Sequence, residues 1–126
     1  MSLGIIFLLM LFCHVIADYN LQGILASMKQ KSWWKSQSEY EKKYSKDWIP
    51  ALIAHCISWT FIIMLPILFY YHFNVNYSFY IVFIVNCILH FYIDNLKANR
   101  HKINLIQDQI CHLLQIVITF LMLIYF

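Results

Sequence analysis

Charge is scarce in this sequence. Only 12% of its 126 residues are Asp, Glu, Lys or Arg, about half the roughly 25% of an ordinary soluble domain. The shortage is also local. No Lys or Arg precedes Lys29, so the first apolar run lacks the basic n-region of a secretory signal peptide. His14 and Asp18 inside that run suit no signal-peptide core either, and it reads as a retained helix. The stretch from His72 to Ser78 carries no charged residue at all. No Cys-x-x-Cys occurs: Cys13, Cys56, Cys87 and Cys111 all lie inside apolar runs. That argues against a disulfide framework, which belongs to small, loop-rich secreted chains, and the four read as small buried hydrophobes. Nor is base spread over one exposed face, as a nucleic-acid binder requires, so nucleic acid is not an expected partner.

What the chain does have is apolar length. Hydrophobic residues make up 62% of it, in runs at about 3–28, 49–71, 79–96 and 103–126. Each is close to or above the roughly 20 residues that cross a bilayer as a helix. The expectation is an all-α fold: one integral membrane domain, residues 1–126, of four transmembrane helices with the lipid bilayer as its surroundings. Pro66 lies deep in the second run and should kink it; Asp47 and Pro50 fit its start. The base sits in two connections. Residues 29–48 hold six Lys and three acids, and residues 97–102 hold two Lys and one Arg. In the longer one Trp33, Tyr40, Tyr44 and Trp48 recur at steps of seven, four and four, as in an amphipathic segment lying in the headgroup layer or a solvated loop with aromatic anchors at its ends, either of which puts it at the membrane surface. Loops that flank membrane spans and carry Lys and Arg face the cytoplasm. Both termini are therefore expected outside an inner or plasma membrane.

Three charges break the apolar runs, and each belongs to a pair. His14 and Asp18, His90 and Asp94, and Asp108 and His112 are each four residues apart, which puts both members on one helical face. His55 adds an imidazole from the remaining run. A carboxylate costs roughly 2.5–3.5 kcal/mol at the centre of a membrane helix, so three of them need a reason. With both basic connections on one side, all seven residues fall at a similar depth near that side. Gln22 extends the first stripe, Lys97 the third, and Gln109 follows Asp108.

Imidazole and carboxylate together are good ligands for Zn, Mn or Fe. The leading expectation is a divalent metal site built from His14, Asp18, His55, His90, Asp94, Asp108 and His112. Gln22, Lys97 and Gln109 would position substrate or ligands. Up to seven ligands exceed the needs of one tetrahedral ion, so either two ions bind or some residues orient others. A metal-bound water attacking an ester or amide at the membrane interface would make the chain a membrane-embedded metal-dependent hydrolase. The same groups could instead relay protons or ions. A third alternative is a non-catalytic accessory protein whose His–Asp pairs only lock helices together. The substrate, the identity of the metal and the oligomeric state stay open at this point.

The order of these elements resembles a known family. His14-x-x-x-Asp18-x-x-Leu21-Gln22, then a helix with His55, then His90-x-x-x-Asp94-x-x-Lys97, then Asp108-Gln109-x-x-His112 is similar to the bacterial and phage membrane family catalogued as domain of unknown function 3307. The likeness spans nearly the whole chain. It implies a multi-pass membrane protein, often phage-borne, and brings no established activity. A second His near His55 is expected from the resemblance; Trp59 stands one turn on from it here.

Overall fold

A computed structural model describes residues 2–37 and 42–125. Tyr40 of the aromatic series, Glu39, Glu41 and the terminal Phe126 lie outside the described residues. The regular structure of the described residues is all helical, with no strand among them: α1 (Leu3–Val15) running into a π-helical turn (Ile16–Asn20), the short α2 (Leu25–Met28) and α3 (Lys31–Lys35), a 3-10 turn (Lys42–Tyr44), then α4 (Trp48–Tyr70), α5 (Tyr77–Ala98) and α6 (Leu105–Tyr125). Among the described residues four stretches are long and apolar enough to cross a membrane: Leu3–Asn20, α4, α5 and α6.

Local chemistry explains the boundaries. The Ser2 hydroxyl accepts from the Ile5 amide and the Asn76 side chain from the Phe79 amide, capping α1 and α5. Asn104 and Gln107 exchange side-chain-to-amide bonds of 3.0 and 2.9 Å, a capping box that starts α6. Asp47 precedes α4, but its backbone is helical and its side chain makes no capping bond, contrary to the sequence expectation. α4 runs on through Pro66 to Tyr70.

The first helix is shorter than the apolar run 3–28. Its last turn widens to π geometry, with the Leu21 amide bonding the Ile16 carbonyl. Gly23 then takes a left-handed backbone, φ +49°, which only glycine adopts without strain. The basic connection 29–48 is likewise not one helix over its described part. It folds as short turns, with Lys31 Nζ 4.4 Å from the Trp48 ring and the Trp34 indole donating to the Met28 carbonyl.

The helices pack α1–α4, α4–α5, α5–α6 and α1–α6, a closed ring of neighbours, and α4 is the most enclosed. The burial pattern is the reverse of a soluble bundle. On α6 the inward stripe is Asp108, His112, Gln115, Ile116, Thr119 and Leu123, while Ile106, Ile110, Leu114, Ile118 and Met122 face out. On α5 the inward stripe is Phe79, Val82, Asn86, His90 and Asp94. Polar inside and apolar outside suits lipid as the solvent, since exposed apolar surface costs nothing against acyl chains. Along the bundle, one end is closed by apolar packing of Ile6, Met10, Ile63, Ile67, Phe79 and Leu123. The other end, next to the two basic connections, holds the charged groups.

Candidate metal centre

Six of the seven candidate ligands meet in one cluster. Asp18 comes from the π turn, His55 from α4, His90 and Asp94 from α5, and Asp108 and His112 from α6. His55 Nε2 lies 3.2 Å from His90 Nε2, 3.3 Å from Asp94 Oδ2 and 3.7 Å from Asp18 Oδ1. His112 Nε2 lies 3.2 Å from Asp94 Oδ1 and 3.4 Å from Asp108 Oδ1. His90 Nε2 is 3.7 Å from Asp94 Oδ1. Three groups each have their ligand atoms within 4.8 Å of one another: Asp18, His55 and His90; His90, Asp94 and His112; Asp18, Asp108 and His112.

The seventh, His14, is in the assembly but turned to other partners. The Trp59 indole donates to its Nδ1 at 3.0 Å, so the proton sits on Nε2, which donates to the Gln109 side-chain oxygen Oε1 at 3.1 Å. Both ring nitrogens are thereby used, and His14 is in none of the three groups. It acts as a strut. Gln109, fixed by His14 through its oxygen, donates through its nitrogen to Asp18 Oδ2 at 2.9 Å and Asp108 Oδ2 at 3.1 Å. Gln22 donates to Asp18 Oδ1 at 2.9 Å and to the Asp18 carbonyl. Gln22 and Gln109 therefore hold carboxylates, and the amide of Gln22 reaches back from just beyond the π turn. Such turns recur at functional sites because they re-aim one side chain without ending the helix.

Two lysines close the cluster. Lys97 donates to Asp108 Oδ2 at 2.6 Å with its side chain 35% exposed, so it engages the site rather than simply extending into headgroups. Lys29 donates to Asp94 Oδ2 at 2.6 Å and is buried. The sequence places Lys29 in a polar connection, and nothing in its spacing marks it out. Its position comes from Asn99 at the end of α5, whose side chain bonds the Lys29 carbonyl and the Lys31 amide. Trp59 is the other group that sequence reading undervalues. It is fully buried and stacks on His90 at 4.0 Å with 18° between planes, fixing that ring while its indole fixes His14.

The residues fit a cation on three counts. Ligand atoms bound at about 2.0–2.2 Å around a tetrahedral ion lie roughly 3.3–3.6 Å apart, close to the 3.2–3.7 Å separations seen here. His112 Nε2 and Asp108 Oδ1 are fully buried and, though 3.4 Å apart, complete no hydrogen bond of good geometry, a costly state for buried polar atoms. The donor set, imidazole and carboxylate without thiolate, suits Zn, Mn or Fe. The four cysteines are free and belong to none of the three groups.

A ring of apolar helices around an internal His/Asp cluster defines a multi-pass membrane protein with a candidate metal site. The chain belongs to the family described as "Protein of unknown function (DUF3307)", whose profile matches residues 6–126. No curated protein and no solved structure matches it.

Proposed function

We propose that the cluster is a divalent-metal centre and that the chain is a membrane-embedded metal-dependent hydrolase. The observation that carries the reading is the pair of buried, unpartnered ligand atoms, His112 Nε2 and Asp108 Oδ1, inside overlapping groups of His and Asp drawn from the π turn and all three later long helices. A bound divalent ion supplies Lewis acidity and a water of lowered pKa. The chain's own part is to hold it and to exclude solvent. Gln22 and Gln109 orient Asp18, Trp59 fixes the imidazole of His90, and the ring of helices keeps the site dry. Lys97, half-way to the surface, is the group placed to meet an anionic substrate at headgroup level.

The basic connections would lie in the cytoplasm and both termini outside the inner or plasma membrane. The substrate would then approach from the cytoplasmic leaflet. A second reading, proton or ion conduction, draws on one further observation. The polar interior continues past His112 as Gln115, Asn86 and Thr119, hydrogen-bonded at 2.8 Å. The test measures metal in protein purified in detergent, then hydrolysis of ester, amide and phosphoester lipids in vesicles. The hydrolase reading expects stoichiometric Zn, Mn or Fe and a chelator-sensitive turnover that is lost in His112→Ala. Metal-free protein that carries protons into liposomes, with flux abolished by Asp94→Asn, would instead establish the conductor.

A further inference from the structure

The three candidate groups cannot all be filled at once, and the way they overlap restricts the loading. One imidazole nitrogen holds one ion. The group His90, Asp94 and His112 shares a histidine with each of the other two, so an ion there excludes both. The groups Asp18, His55, His90 and Asp18, Asp108, His112 share only Asp18, and a carboxylate has two oxygens to give. The site therefore holds either one ion, in any one of the three groups, or two ions in the outer groups joined through Asp18.

The placement of Asp18 favours the second. Its two oxygens already face opposite sides. Oδ1 lies towards His55 on α4 at 3.7 Å, and Oδ2 accepts from Gln109 on α6 at 2.9 Å. The π turn is what sets a carboxylate between these helices, and Gln22 and Gln109 fix one oxygen each. Within each outer group the remaining ligands sit at coordination-edge spacing, His55 to His90 at 3.2 Å and His112 to Asp108 at 3.4 Å. The unpartnered atoms His112 Nε2 and Asp108 Oδ1, both on residues of 0% exposure, belong to the same outer group. Asp94 is then free to keep Lys29, its partner at 2.6 Å.

We propose that the site takes two divalent cations bridged by Asp18, one held with His55 and His90 and the other with Asp108 and His112. The inference rests on the metal-centre reading above and specifies its occupancy. Charge sets a condition. Three carboxylates, Asp18, Asp94 and Asp108, stand with two ammonium groups, Lys29 on Asp94 and Lys97 on Asp108, so two divalent ions leave the site positive. Withdrawal of the partly exposed Lys97 and an anionic ligand, a phosphate or carboxylate group, offset that surplus.

The experiment loads detergent-purified full-length protein with Mn2+ and measures ions bound per chain alongside the electron paramagnetic resonance spectrum. Two ions per chain with an exchange-coupled spectrum are expected. His55→Ala and Asp108→Asn should each retain one ion, with the simple hyperfine sextet of an isolated Mn2+. One ion per chain in the unaltered protein, giving that sextet from the start, would overturn the bridge and leave the metal centre standing. No bound ion would overturn both. The spectrum of the unaltered protein decides the matter even if neither variant folds.

Discussion

Two polar sites lie one above the other in the same bundle, and they are built differently. Towards the middle, Asn86, Gln115 and Thr119 form a neutral triad. Gln115 donates to the Asn86 carbonyl and side-chain oxygen, and Thr119 accepts from the Asn86 side-chain nitrogen and donates its one hydroxyl proton to the Gln115 carbonyl at 2.8 Å. One acceptor, Gln115 Oε1, is left over. This is how a membrane bundle locks two helices at modest cost: amides and hydroxyls that satisfy each other. The His/Asp cluster is charged, draws on more helices, and brings His112 Nε2 and Asp108 Oδ1 to 3.4 Å without completing a hydrogen bond between them. A lock does not need three carboxylates at roughly 2.5–3.5 kcal/mol each. The contrast is the physical ground for assigning the triad to structure and the cluster to a ligand.

The comparison is tested most severely at Asp94. It accepts from Lys29 and lies within 3.7 Å of three imidazoles. Asp94→Ala leaves a buried ammonium without its partner, which costs about 3–5 kcal/mol. Thermal unfolding in detergent should show it, and Lys29→Met in the same chain should restore much of the loss. Failure of the second change to compensate would mean that Asp94 is not held by Lys29.

His112→Ala separates the two sites next. In metal-free protein His112 faces Asp94 and Asp108 at 3.2 and 3.4 Å, so removing the ring should cost about 1–3 kcal/mol of stability. Metal affinity should fall by 100-fold or more on titration with Zn2+ or Mn2+. Equal losses in stability with and without metal would remove the distinction between ligand and lock.

Trp59→Phe keeps a ring over His90 but removes the donor to His14. A loss of about 1–3 kcal/mol follows because His14 Nδ1 is left buried without a donor, with metal binding weakened less than tenfold. At the triad the signs reverse. Thr119→Val should cost about 0.6–1.7 kcal/mol of stability and leave metal content unchanged. A drop in bound metal there would couple the two sites and favour a continuous polar path.

Much of this was legible in the sequence because it is local. Apolar length alone marks out four candidate spans, and the i, i+4 spacing of His90 with Asp94 and of Asp108 with His112 puts each pair on an inward stripe. The family likeness is borne out by the profile match over residues 6–126. What was not legible depends on register between helices. The π turn at Ile16–Asn20 breaks the regular spacing of His14 and Asp18, so Asp18 joins the ligand groups and His14 does not, although Gln109 bonds both. Lys29 reaches Asp94 only because Asn99, 70 positions on, ties down its backbone. His14 is claimed by Trp59 and Gln109 through contacts 45 and 95 residues apart in sequence. No periodicity within one segment reports such pairings.

X-ray absorption at the metal edge of the loaded protein tests most directly whether the cation sits among these side chains. Nitrogen and oxygen neighbours at about 2.0–2.2 Å with the outer-shell scattering of imidazole are predicted, and no sulfur at about 2.3 Å. A shell of sulfur, or of oxygen alone without imidazole, would contradict the assignment.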